Sequence, residues 1–241
     1  MVECHPSNPL GRDFFVGDLH GSFAALDELL VTMAFAPERD RLFSVGDLID
    51  RGPQPERFDE FLELPWFHAI RGNHEQMAID ACFGLRALDA EAVERFVLWE
   101  RNGGLWGASR IHGDPALVHR LMALDRLPWL IEVETVLGRV GLVHAEVPPG
   151  RDWVELRDDV ADDPALREAA IWGRERVRAR KRKPVRGIDW VISGHTPVRK
   201  PLRLGNQWFI DTGAGYESLD WACLTLLEAH PAGWKLHQQP T

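Results

Sequence analysis

Five short phrases, each closing an apolar, strand-like run, limit what this chain can fold into. Gly-Asp18-Leu-His20-Gly follows DFFV, Gly-Asp47-Leu-Ile-Asp50-Arg51-Gly follows RLFSV, Arg71-Gly-Asn73-His74-Glu75 follows FHAI, Val143-His144-Ala145 closes RVGL, and Gly194-His195-Thr196 follows DWVIS. Parallel strands that stop at one edge of a sheet bring their terminal side chains together, and open α/β sheets place their sites at that edge. The chain is therefore read as an α/β protein in which Asp18, Asp47, Asn73, His20, His144 and His195 converge. Gly17, Gly46, Gly72 and Gly194 each precede one of these residues. Glycine is expected there, where a strand turns sharply or the backbone approaches a ligand closely.

The donor types select the chemistry. Carboxylate, amide oxygen and imidazole suit Mn, Fe or Zn, whereas a soft thiolate site needs cysteines near the phrases. Cys4, Cys82 and Cys223 lie elsewhere with no C-x-x-C pair, and are expected as buried, reduced thiols. Asp18 and His20, at i and i+2, point to one side of an extended segment and can share an ion. The two oxygens of Asp47 can bridge two ions, with Asn73, His144 and His195 completing the set. Two ions roughly 3.5–4 Å apart lower the pKa of a bridging water and clamp both oxygens of an in-line displacement.

In this order, GDLHG, GDLIDRG, RGNHE, VHA and GHTP resemble the metallophosphoesterase family of Ser/Thr protein phosphatases, most nearly its compact bacterial, bacteriophage-lambda type. IWGRER (Ile171 to Arg176) and FIDTGA (Phe209 to Ala214) resemble stretches of the same group, so the likeness runs from Gly17 to Ala214. It implies a calcineurin-like fold: two facing mixed β-sheets in a sandwich flanked by helices, with a helical cap insertion at about residues 75–138 of a single domain spanning 1–241. Periodicity alone stops at α/β. The likeness also implies a binuclear centre of two divalent metal ions, Mn first, with Fe, Zn or Ni as alternatives.

Asp50 and His74 are not spent on metal and sit beside ligands. A carboxylate that accepts a hydrogen bond from one ring nitrogen fixes the imidazole tautomer, and the imidazolium can then protonate a departing alkoxide. The family uses the matching pair in that way. Arg51 and Arg71 also flank ligands and can hold phosphate oxygens in bidentate fashion. Arg174, in WGRER, matches a third phosphate-binding arginine of the group, with Arg176 as its nearest competitor.

Helices are expected after Gly21, with Leu26, Leu29, Leu30 and Met33 on one face, and over Glu75 to Phe83, Asp89 to Arg101 and Asp114 to Arg126. A further helix starts at Asp163-Pro164 and runs toward Lys183, and strands return at Gln207 to Asp211 and Ala222 to Glu228. Trp99, Trp106, Trp172 and Trp190 are assigned to packing. A net charge of −9 argues against a nucleic-acid polymer or a membrane as partner, although Arg174 to Arg186 holds eight basic residues and one acid. That run is read as a solvated helix face. The opening residues lack a signal-peptide pattern, so a cytoplasmic location is expected.

The expected function is a metal-dependent phosphomonoester hydrolase, a Ser/Thr protein phosphatase with action on phosphotyrosine kept open. Its partner is a phosphorylated protein or a small phosphoester. Direct attack by activated water needs no Cys or Ser nucleophile. One alternative is a diadenosine tetraphosphate (dinucleoside polyphosphate) hydrolase, although such enzymes usually lack the aspartate at the position of Asp50. The other is a non-catalytic binding module on the same scaffold.

Overall fold

The run DFFV puts Phe14 and Val16 on one side of a strand and Phe15 on the other. All three are fully buried, so both faces of this strand are covered. A computed structural model describes residues 2–87 and 90–241 and shows how. One sheet has the order β1 (Val2–His5), β5 (Leu130–Thr135), β6 (Gly138–Val143), β7 (Trp190–Ser193), β9 (Gln207–Phe209) and β8 (Leu202–Leu204). The other has the order β11 (Gly233–Pro240), β10 (Cys223–His230), β2 (Asp13–Val16), β3 (Arg41–Ser44) and β4 (Phe67–Ala69).

Both sheets are mixed. β2, β3 and β4 run parallel, as do β6, β7 and β9, while β10 is antiparallel to β2 and β11, and β5 to β6. The two parallel triplets carry the five phrases at their C-terminal ends. Between the sheets lie Phe15, Phe43, Val45, Ile131, Val133, Leu142 and Ile192. Each such side chain contributes roughly 1.5–3 kcal/mol by leaving water. The outer face of the five-stranded sheet packs Phe14, Val16 and Leu42 under α1 (Phe23–Thr32), α2 (Phe58–Leu62), α3 (Asn73–Ala87) and α6 (Pro115–Ala123). The outer face of the six-stranded sheet packs Leu130, Val143 and Val191 under α7 (Trp153–Asp159) and α8 (Pro164–Trp172).

The expected helices at Glu75, Asp89 and Asp114 correspond to α3, to α4 (Ala90–Trp99) and to α6; Asp89 lies outside the described residues. α4 is followed by a kinked segment, Glu100–Gly104, in which Gly103 leaves helical geometry at φ +105°, and then by the short α5 (Leu105–Ala108). Asp114 caps α6 by accepting the Leu117 N–H, with Pro115 in the first turn, as its sequence required.

Other boundaries differ from expectation. The helical segment ends with a turn at Leu124–Arg126, well before residue 138, and Leu130–Thr135 is β5 instead. Its Ile131 and Val133 enter the inter-sheet core while Glu132 receives the Trp153 indole N–H, an alternation too short to stand out beside the helices. The helix from Pro164 stops at Gly173, whose backbone is extended, so the basic run does not form a long helix. Only α9 (Glu175–Arg178) follows. α7, opened by a capping box of Asp152 and Glu155, is absent from the expected helices, although D-x-x-E announces it. β1, β8 and β11 were also missed, β11 because its edge position leaves GWKLHQQP largely polar and partly exposed. Of the cysteines only Cys82 is buried; Cys4 is exposed and Cys223 lies between. Among the described residues no helix is long and apolar enough to cross a membrane.

Candidate active site and metal centre

The turns after β3 and β4 are locked together by one carboxylate. Glu75, in the first turn of α3 and fully buried, accepts the backbone N–H groups of Asp47, Leu48 and Gly72 at 2.8 Å each and of Ile49 at 3.4 Å. Asp47 and Asn73 therefore face the same space. Oδ1 of Asp47 accepts the His74 N–H at 3.0 Å and lies 3.4 Å from Nε2 of His144, while its Oδ2 lies 3.5 Å from Nε2 of His20. The ligand atoms of His20, Asp47 and His74 fall within 4.8 Å of one another, and so do those of Asp47, His144 and His195. Asp47 is common to both groups.

The imidazoles are aimed by the backbone. Nδ1 of His20 sits 3.0 Å from the Ile49 carbonyl oxygen, and Nδ1 of His144 sits 2.7 Å from that of Val45, which turns each Nε2 inward. Oδ1 of Asn73 lies 2.9 Å from Nε2 of His144 and 2.9 Å from Nδ1 of His195. Across the sandwich, Oδ2 of Asp18 accepts the His195 N–H at 2.9 Å, whereas its Oδ1 is buried without a hydrogen-bond partner. This buried carboxylate oxygen without a partner, on a residue that feels the charges of His144 and Asp47, is a donor that a divalent cation would satisfy.

The electrostatics agree. Burial and the neighbouring charge of Asp211 push Asp18 well above the usual carboxylate range, and burial raises Asp211 to about 6. Burial disfavours charge on both Asp47 and His144. Even so, the imidazoles of His144 and His74 hold Asp47 well below its ordinary value, and Asp47 raises His144 to about 10. Asp18 and Asp211 are thus the carboxylates whose charge a cation would relieve, whereas that of Asp47 is already met by imidazoles.

The backbone is strained at the same place. His20, Asp47, Asp50, Arg51 and His195 all adopt positive φ, from 41° to 74°. Left-handed backbone at residues other than glycine costs of order 1–3 kcal/mol each and gathers at functional sites. Of the glycines before the donors, Gly46 takes φ +93°, a genuine left-handed turn. Gly194 is needed for space, since a Cβ there would stand 1.7 Å from Oδ1 of Asp18.

Asp50, fully buried, accepts from Nδ1 of His74 at 2.7 Å. It also receives the Trp99 indole N–H at 3.0 Å and the Trp106 indole N–H at 2.8 Å. Trp99 and Trp106, two of the four tryptophans assigned to packing, do pack in the helical core and are in addition hydrogen-bond donors to Asp50. Of the arginines, Arg51 places its guanidinium against Nε2 of His20 and 4.3 Å over the Tyr216 ring, and Arg174 donates from Nε to Nε2 of His195 at 3.1 Å. Arg71 faces another way. It pairs with the Asp125 carboxylate at 2.9 Å, donates to Oε1 of Gln76 at 3.0 Å and covers the Trp129 ring at 4.4 Å. Arg176 turns inward, donating to the Lys183 carbonyl at 2.8 Å. Its backbone N–H and that of Glu175 bond to the Glu146 carboxylate at 2.7 Å and 2.9 Å.

The sequence reading gave Glu75, Glu146, Asp211 and Tyr216 no role. Glu75 and Asp211 lay inside quoted phrases, whereas Glu146 and Tyr216 carry no signal until the fold places them.

Compared with known proteins, the chain matches the family described as calcineurin-like phosphoesterase over residues 14–199. It is 38% identical over 200 residues to serine/threonine-protein phosphatase 1 of Salmonella typhimurium, covering 83% of this chain and 85% of that one. It is 27% identical over 179 residues to the symmetrical bis(5'-nucleosyl)-tetraphosphatase of Methylococcus capsulatus, covering 68% and 61%. A solved protein serine/threonine phosphatase from Saccharomyces cerevisiae superposes with a TM-score of 0.66 over 99% of this chain and 84% of that one; at 13% identity this is a likeness of fold.

Glu75→Gln tests the lock between the turns. Its amide NH₂ would oppose backbone donors now satisfied by carboxylate, which should cost about 1–3 kcal/mol. The urea midpoint should drop and retained metal should fall with it. An unchanged midpoint with full metal retention would show that the turns hold without this carboxylate.

Proposed function

From the premise that the chain belongs to the calcineurin-like phosphoesterase family, we propose that this phosphatase hydrolyses phosphoserine and phosphothreonine monoesters on proteins. The observation that carries the reading is the buried Asp50–His74 pair, 2.7 Å apart, set beside a carboxylate whose two oxygens face different imidazoles. Asp18, His20, Asp47, Asn73, His144 and His195 would hold two divalent ions, with Mn proposed and Fe, Zn or Ni as alternatives for an oxygen and nitrogen donor set. When bound, the ions supply Lewis acidity toward water and the phosphoryl oxygens.

The remaining work falls to the chain's own groups. Arg51 contacts the His20 imidazole and Arg174 that of His195, which supports a role for both in holding phosphoryl oxygens, with Arg71 joining them once it leaves Asp125. Asp50 holds Nδ1 of His74, leaving Nε2 toward Asp47 and the site, where it can hand a proton to the departing seryl or threonyl oxygen. Intact donors and an intact acid pair favour an enzyme over a binding module. Monoester chemistry is favoured by Asp50, and the higher identity to the protein phosphatase points the same way.

The test is an initial-rate panel with Mn: phosphoserine, phosphothreonine and phosphotyrosine peptides beside diadenosine tetraphosphate. The phosphoserine and phosphothreonine peptides should give the highest kcat/KM; a dinucleotide ahead of them would transfer the assignment to the polyphosphate hydrolases. Within the panel, His74→Asn should lose about 10²–10⁴ in rate on the peptides and much less on nitrophenyl phosphate, whose leaving group departs unprotonated. Equal losses on both would remove His74 as the acid.

The two arginines of the WGRER turn should separate cleanly. Arg174→Ala should lower kcat/KM by roughly 1.5–3 kcal/mol and weaken inhibition by inorganic phosphate, as loss of a charge-assisted hydrogen bond does. Arg176→Ala should instead lower the unfolding midpoint, since this buried side chain ties its own turn to Lys183. Weakened phosphate inhibition in Arg176→Ala alone would reverse the assignment.

A further inference from the structure

We infer that Trp99 and Trp106 are positioning residues that hold Asp50 against His74 and so make the helical cap part of proton delivery to the leaving group. The inference rests on the proposed role of His74 as the acid.

An ionised carboxylate offers about four lone-pair directions, and a buried one needs them filled. Asp50 is fully buried, and three N–H groups reach it. Oδ2 takes Nδ1 of His74 at 2.7 Å, the Trp99 indole lies 3.0 Å from each oxygen, and the Trp106 indole lies 2.8 Å from Oδ1. Among the described residues His74 is its only ion-pair partner. The choice of indole matters. An arginine or lysine in the same place would satisfy the oxygens but draw the negative charge away from the imidazole, whereas a neutral N–H fixes the carboxylate's orientation and leaves its charge facing His74.

The local sequence is built for this contact. Seven residues of regular α-helix would separate two side chains by about 10 Å along the axis, too far for both to reach one carboxylate. Between Trp99 and Trp106 the helix breaks at a kink, where Gly103 takes φ +105°, a left-handed conformation that no helix contains. The chain changes direction at this kink, and the indoles meet edge to face with centroids 6.4 Å apart. Gly104 leaves room for the donor itself, because a Cβ there would stand 2.4 Å from Nε1 of Trp99. The same kink touches the residue after Asp50: the Gly103 carbonyl accepts the Arg51 N–H at 3.2 Å. Asp50, at φ +74°, is thus gripped through side chain and adjoining backbone in a conformation that it would not choose alone.

The experiment removes the N–H and keeps a ring. Trp99→Phe and Trp106→Phe, loaded with Mn, are assayed on a phosphoserine peptide and on nitrophenyl phosphate, with KM and metal content measured for each. On the peptide kcat should fall about tenfold or more, within the range of a mispositioned acid, and on nitrophenyl phosphate by less than about threefold, with KM and metal content unchanged. In an Asp50→Asn background Trp106→Phe should add little, since the effects act through one group. A general loss of structure would not discriminate between the two esters. Equal losses on both, or full additivity with Asp50→Asn, would overturn the clamp. If Trp99→Phe, whose ring is wholly buried, fails to fold, the half-buried Trp106 carries the test alone. His74→Asn separates the two levels: without leaving-group selectivity in that variant the acid reading falls and the clamp with it, whereas selectivity in His74→Asn but in neither tryptophan variant removes the clamp alone.

Discussion

Negative charge buried at the strand ends is the constraint around which this molecule is arranged. Asp18, Asp47, Asp50, Glu75 and Asp211 are each at most 2% exposed and crowd the edge shared by the two parallel strand triplets. An unpaired ion in such a place costs several kcal/mol. Most of the cost is met locally. Glu75 takes four backbone N–H groups, Asp50 takes three side-chain N–H groups, and Oδ1 of Asp211 takes the Gly213 N–H at 2.9 Å. What is left uncompensated is concentrated at Asp18, whose Oδ1 has no hydrogen-bond partner, beside imidazoles whose other nitrogens are already tied to the backbone or to Arg174. The incompleteness has a location, and that location is the site.

Backbone strain follows the same map. Five non-glycine residues in left-handed conformations lie in turns directly after β2, β3 and β7. The strands that precede them are packed on both faces, so the scaffold supplies the energy that holds those turns. Glu75 and the Trp99–Trp106 segment then pin the two most strained stretches from the helical side.

Much of this was legible in the sequence, for a physical reason. A strand end with glycine and then a donor residue is a local pattern, and its meaning depends only on neighbouring strands stopping at the same edge. The six donor residues, Asp50 and His74 therefore come together where the phrases put them. The donor role of Trp99 and Trp106 was illegible because the partner of an indole N–H depends on the kink at Gly103, which no periodicity announces. Arg71 was half legible: its position beside Asn73 was readable, but its pairing depends on Asp125, more than fifty residues away in the chain. Gly173, which ends α8 ahead of the basic run, looked like a residue inside a helix until Glu146 was seen receiving the backbone N–H groups beyond it.

The resting pair of Arg71 and Asp125 changes what binding at that arginine would measure. In the reading proposed above, phosphate does not meet a free guanidinium; it exchanges with a carboxylate already 2.9 Å away. The affinity contributed by Arg71 is then a difference between two anions and not the strength of either contact. A dianionic phosphoryl group outcompetes a single carboxylate more readily than a monoanionic diester does, so the exchange itself sorts ligands by charge. Asp125 sits in the turn that closes the helical segment, half exposed at its side chain. Its displacement would release one tether between those helices and the end of β4, so occupancy of the site would be felt as a loosening at the far margin of the cap.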